Sequence, residues 1–135
     1  MRRNMAYRYQ LMKLNSSLLG HYISSYNFCN AAKMISWFLE NEQNTCNALM
    51  NKEEKEVYVE YLQCIGGYNR LALRNYHDAI KYLARSLKVI DQIQGDVNIK
   101  FSLINQIVQS YIEIGKTNEA EECIEQMESL FKQGE

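Results

Sequence analysis

Ile104-x-x-Ile107-Val108-x-x-Tyr111-x-x-x-Gly115-x-x-x-x-Ala120-x-x-x-Ile124 is the stretch whose reading decides the fold. Its first four apolar residues recur at three- and four-residue steps, the period of one face of an α-helix. Gly115 then stands where that helix must stop, since glycine accepts the left-handed backbone that ends helices. Ala120, Cys123, Ile124, Met127, Leu130 and Phe131 form a second stripe, and Glu121, Glu122, Glu125 and Glu128 lie off it. Thr117 is placed to cap this second helix through its hydroxyl. A small residue early in the second helix lets the two helices approach, and the large residue one turn on fills the gap. A pair of this kind cannot bury its own apolar face and must stack on neighbours.

Working upstream, the same pattern recurs. Leu103 joins Ile104, Ile107, Val108 and Tyr111, with Asp96 as N-cap and Gly95 as the stop for the preceding helix. That preceding helix carries Ala79, Ile80, Leu83, Leu87 and Ile90, opened by the Asn75-Tyr76-His77-Asp78 turn. Asn51-x-x-Glu54 resembles a capping box and opens a helix through Val57, Tyr58, Leu62, Ile65 and Leu71. Leu11, Leu14, Leu18, Leu19 and Tyr22 predict another helix. The Ser24-Ser25-Tyr26-Asn27 turn separates it from one carrying Phe28, Ala31, Ile35, Trp37 and Phe38. Strict alternation is missing throughout, which disfavours strands.

Composition narrows the function classes. A chain of 135 residues with 47% hydrophobic side chains is long enough for one core and too apolar for disorder. Its net charge of −1 gives no global pull toward nucleic acid or an acidic membrane. The basic residues Arg74, Lys81, Arg85 and Lys88 read as a solvated face, since the ten tyrosines are scattered and mostly fit helix stripes and the net charge is negative; the acidic run Glu119–Glu128 reads likewise. No apolar run spans a bilayer, no secretory signal follows the basic start, and Cys29, Cys46, Cys64 and Cys123 contain no C-x-x-C pair. A cytoplasmic location with reduced thiols is expected. His21 and His77 have no ligand-spaced partners and no nucleotide or hydrolase motif occurs, so no metal, cofactor or enzymatic activity is expected. Gly66-Gly67, within a helix, reads as close helix packing.

Laid over one another, Tyr22…Phe28-x-x-Ala31-x-x-x-Ile35, Leu62-x-x-Ile65-Gly66…Tyr76-x-x-Ala79-x-x-x-Leu83 and the opening stretch align as three helix pairs. On these residues the chain resembles the tetratricopeptide-repeat family over about residues 10–132. It departs from the family in having no closing proline and in the spacing of its alanines. Ala31, Ala79 and Ala120 are 48 and then 41 residues apart, against a family period of about 34. The second unit fits only if its turn is longer by one residue. The wide spacing predicts second helices longer by one or two turns. In this it looks like the irregular repeats of peptide-sensing receptors of Gram-positive bacteria, and less like the three-repeat chaperones of type III secretion.

The resemblance implies an all-α, right-handed superhelical array of about six antiparallel helices. It forms one domain with units at about 10–43, 52–94 and 97–132. It also implies a concave face lined by the first helix of each pair, which exposes Gln63, Arg70, Ser102, Asn105, Gln109 and Glu113. Asn and Gln side chains can clamp the backbone of an extended peptide, and Arg70 can take a carboxylate bidentately. The bland alternative is that these are ordinary polar surface residues. The function expected is a protein- or peptide-binding module, the sensor portion of a regulatory receptor, with no direct nucleic-acid or membrane partner. The competing reading is architectural: an array, for instance a homodimer, that self-associates to cover its open ends and takes no separate ligand.

Overall fold

The computed structural model describes residues 2–41 and 50–133, with side chains from Tyr7 onward. The described residues form six helices and no strand: α1 (Arg2–Ser24), α2 (Phe28–Glu40), α3 (Lys52–Leu71), α4 (Tyr76–Gln92), α5 (Val97–Glu113) and α6 (Thr117–Gln133). The expected all-α architecture is present. The end of the first expected unit, at 42–43, and Cys46 lie outside the described residues.

The three helix pairs share one turn. Tyr26, Arg74 and Gly115 have positive φ (61°, 51° and 76°). Each stands five residues before its alanine: 26 to 31, 74 to 79, 115 to 120. In each pair the alanine N–H donates to the carbonyl of the residue that opens the second helix: Asn27, Asn75 and Lys116, at 3.1, 3.0 and 3.1 Å. All three alanines are buried. After α1 and α5 the turn closes as a Schellman motif, with Asn27 N–H on Tyr22 O and Lys116 N–H on Tyr111 O. After α3 it is one residue longer, because Asn75 N–H reaches back to Asn69 O instead. The slip required by the alignment is therefore a real difference in the turn.

Several caps form as their residues predict. Asn51 accepts from Glu54 N–H at 2.8 Å while the Glu54 carboxylate accepts from Asn51 N–H, a complete capping box. Asn75 accepts from Asp78 N–H and Asp96 from Asn98 N–H. Two assignments need correction. Thr117 is the first residue of α6 and does not cap it, because the turn places Lys116 in the preceding position. The left-handed residue after α4 is Gln94, not Gly95. A Cβ on Gly95 would stand 2.5 Å from the Ile90 side chain, so that glycine serves packing.

Helix lengths also differ from expectation. The extra length lies in the first helices, with 23 residues in α1 and 20 in α3, whereas α4, α5 and α6 have 17 each and α2 only 13. Helix α3 is the hub, packing on α1 and most extensively on α4, while α4, α5 and α6 pack in succession and α3 barely meets α5. Around α3 the core joins Met12, Leu19, Ile35, Phe38, Leu62 and Ile65, and Phe38 stacks on Tyr61 at 4.4 Å. Toward α5 it continues through Val59, Leu83, Ile90, Leu103 and Ile107. The buried Ser86 hydroxyl donates to Val59 O across the α3–α4 contact, which leaves no polar atom orphaned there.

On α1 the expected apolar face is misassigned. Leu19 is buried, but Leu11, Leu14 and Leu18 are exposed, and Met12 and Ser16 take the inward positions. In this rotation Arg8 Nε meets the Glu54 carboxylate at 2.6 Å and Ser16 Oγ donates to the Glu60 carboxylate at 3.1 Å. Trp37, Leu71, Ile124 and Phe131 are likewise exposed.

Two measurements test this packing. A Cβ on Gly66 would fall 2.7 Å from Leu83 Cγ, whereas at Gly67 it would meet nothing within 4 Å. Gly66→Ala is expected to destabilise by about 1–3 kcal/mol through overpacking. Gly67→Ala should leave stability unchanged or raise it by up to about 1 kcal/mol through helix propensity. Urea unfolding that ranks the two the other way contradicts the helix contact.

Glu54 supplies a pH test. The Arg8 guanidinium, together with the Asn51 N–H, holds its carboxyl below the usual carboxylate range, against the opposing effect of burial. Because the folded value is depressed, the contribution is complete above the unfolded carboxyl pKa. It is lost as pH falls through the folded one. Arg8→Met leaves a buried carboxylate unpaired at neutral pH. It should cost about 2 kcal/mol, less than for a fully buried pair because Arg8 is partly solvated. The loss should shrink on acidification, and thermal midpoints at neutral pH and below pH 4 measure it.

Candidate functional site: a trough along the first helices

Two adjoining pockets run along the side of the fold presented by α1, α3 and α5. One, of about 250 Å³, is lined by Gly20, Ile23 and Ser24 of α1, by Gln63, Cys64, Gly67, Arg70 and Leu71 of α3, and by Gln106 of α5. The other, of about 320 Å³, is lined by Arg70, Leu71, Arg74, Tyr76, Gln109 and Glu113. Arg70 and Leu71 belong to both, so the two make one trough bent around the end of α3.

The sequence explains the depression. The α3–α4 contact is brought close by Gly66 against Ala79 and Leu83, and Gly67, one residue on, leaves the trough floor without a side chain. The expectation of close packing thus holds for Gly66 and not for Gly67. The longer α3–α4 turn puts Arg74 in left-handed backbone at the trough's far end.

Of the six residues expected on this face, Gln63, Arg70, Gln109 and Glu113 line the trough. Ser102 is tied to it, because Gln63 Nε2 donates to Ser102 Oγ at 3.2 Å across the α3–α5 gap. Asn105 is exposed and lines neither pocket. Its neighbour Gln106 does line one and reaches Ser102 at 3.4 Å. One residue is about 100° around a helix, enough to move a side chain off the face. Gly67, Leu71, Arg74 and Tyr76 were not expected at the site, and Cys64, whose position one turn from the glycines allows either partial exposure in the groove or burial, lines it as a half-buried residue. Gly67 carried the one available signal, a second glycine in mid-helix with no packing need.

Arg70 is the most unusual group here. Its Nε is buried and has no hydrogen-bond partner, although burying a guanidinium nitrogen unpaired is costly. Arg74 lines the same pocket and adds a second positive charge, with Glu113 on the opposite wall. The remaining basic residues of the middle helices separate from this pair. Lys81 and Arg85 lie over the Tyr82 ring, and Arg85 donates to Tyr58 Oη at 2.7 Å.

Comparison with protein-family models, curated proteins and solved structures finds no match to this chain. Among the described residues no group of His, Cys, Asp and Glu is arranged to hold a metal ion, and no helix is long and apolar enough to cross a membrane.

Cys64 in the trough wall has its thiol pushed up to about 11, first by burial and then by Glu60. A thiol so far from ionised reacts slowly even where the trough reaches it. Exposed Cys29 should therefore be alkylated by iodoacetamide well before Cys64 at pH 8, at least about tenfold faster. Peptide-level mass spectrometry reads the order, and equal rates would place Cys64 in open solvent.

Proposed function

We propose that the trough binds an extended peptide, or the end of a partner chain, and that the protein is a binding module of a regulatory system. The observation that carries this reading is Arg70. Arg70 lines both pockets where they join and its buried Nε has no acceptor within the protein, so its guanidinium brings a positive charge to the trough that an incoming carboxylate can pair with. Gln63, Gln106 and Gln109 offer amide donors and acceptors along the walls, the chemistry that pairs with a peptide backbone. The bare stretch at Gly67 lets that backbone lie close.

In this reading Arg70 takes a carboxylate, from an acidic side chain or a peptide C-terminus, and Arg74 strengthens the field. Gln63 releases Ser102 to engage the ligand. Nothing reacts, and the output is a change in what else the protein contacts.

The test uses arrays of peptides synthesised with free or amidated C-termini. Binding that depends on a carboxylate is expected, and Arg70→Gln should weaken it by about tenfold or more, the loss of a charge-assisted hydrogen bond. Gly67→Leu should abolish binding by filling the floor, while Asn105→Ala should leave it unchanged. Thermal midpoints of Arg70→Gln and Asn105→Ala should stay near wild type. Peptide binding indifferent to Arg70 and Gly67, or no peptide bound at all, overturns the proposal.

A further inference from the structure

Helix α1 is apolar on two sides. Its inward side packs through Met12 and Leu19, while Tyr7, Leu11, Leu14 and Leu18 stand exposed, at 70%, 42%, 66% and 42%. These four follow steps of four, three and four residues, which confines them to a stripe along one side of the helix. The stripe is turned by roughly 130° around the helix from the buried one, and Leu11 borders a small pocket with Met12, Trp37 and Phe38. A helix that is hydrophobic on both sides has the composition of an internal member of a stack, not of its edge.

The other end of the array presents a cleft instead of a ridge. Phe101 of α5 and Met127, Glu128, Phe131 and Lys132 of α6 line a mostly apolar cavity of about 450 Å³. Ile124 and Phe131 project beside it, 43% and 60% exposed. The two ends differ in charge as well as in shape. Helix α1 has basic residues and no acidic one, with Arg8 already paired to Glu54, whereas α6 carries Glu119, Glu121, Glu122, Glu125 and Glu128 against Lys132 alone, Glu128 and Lys132 both lining the cleft.

We infer that the protein stacks head to tail on a second copy of itself, the exposed α1 stripe of one copy lying in the α5–α6 cleft of the next. The charges select this pairing. Two α1 helices brought together juxtapose only like charges, and two α6 helices mostly like ones, while α1 on α6 sets a basic helix against an acidic one. Within each chain α3 packs on the first helix pair, mainly on α1, and α5 on the second, mainly on α4, so the contact adds one more first helix to a pair across a chain boundary. An interface between two different surfaces of one chain is heterologous. It leaves a free ridge and a free cleft on every assembly unless a ring closes.

Sedimentation velocity on the full chain tests this, over about a hundredfold range of concentration and at low and high salt. Growth beyond a dimer with concentration is expected, reduced by high salt. Two variants separate the surfaces: a head variant, Leu14→Glu with Leu18→Glu, and a tail variant, Phe131→Glu. Each alone should be monomeric, with dissociation weakened at least about a hundredfold by the carboxylate placed against apolar surface. All substituted positions are exposed, and helical circular dichroism verifies the fold. Mixed, the two variants should form a one-to-one dimer and nothing larger, since one cleft and one ridge remain intact. Wild type that stays monomeric overturns the inference and leaves these surfaces to a foreign partner. A tail variant that still dimerises overturns it in favour of α1 pairing with α1, and a mixture that stays monomeric overturns it outright. None of these results depends on peptide binding in the trough.

Discussion

Three small side chains set the distance at which the helices of this protein meet. Ala31, Ala79 and Ala120 sit one turn into the second helix of each pair, buried against the first. Each is delivered there by a left-handed residue five positions earlier and by the same alanine N–H bond to the start of its helix. A larger residue at any of the three would separate the pair and open a void that the apolar side chain one turn on could not fill. The geometry is local, so it repeats although the helices it joins range from 13 to 23 residues. The step from the left-handed residue to the alanine is the same in all three pairs, although the turn after α3 closes one residue further back.

This explains which parts of the fold were legible in the sequence. Capping at Asn51, Asn75 and Asp96 depends on residues within one turn of each other, and the residue types alone predict it. The three alanines are legible for the same reason. Left-handed backbone was less so. Tyr26, Arg74 and Gln94 adopt it without being glycine, because the Schellman and longer turns place two hydrogen bonds around the residue and offset its strain. Gly95 looked like the stop for α4 only because a second requirement, room for Ile90, also selects glycine.

Rotation of a helix about its own axis was not legible. Helix α1 carries two apolar stripes, and its pattern contains nothing to say which one faces inward. The inward side is the one whose partners lie far along the chain: Arg8 meets Glu54 and Ser16 meets Glu60, 46 and 44 residues away. The same limit applies to α5, where Asn105 and Gln106 are equally polar and only the position of α3 decides that the second faces the trough. Sequence periodicity thus identifies a helix face to within about one residue, and a binding surface needs better than that.

The trough and the open ends have one cause. Helices α4, α5 and α6 each pack on the next, and α3 and α5 are held apart across the gap that α4 bridges. A stack built this way cannot close on itself, so it keeps a ridge at one end and a cleft at the other. It also keeps a depression along the first helices, deepest where α3 and α5 barely meet. Across that depression runs the Gln63–Ser102 hydrogen bond, exposed and between neutral groups. Such a bond contributes about 1 kcal/mol and exchanges readily with water or another amide. Arg70, which lines the same trough, is in a different condition: it is charged, and its buried Nε has no acceptor within the protein. Of the two, only the arginine stands to gain substantially from a ligand, so affinity in this trough should follow the ligand's negative charge more closely than its length.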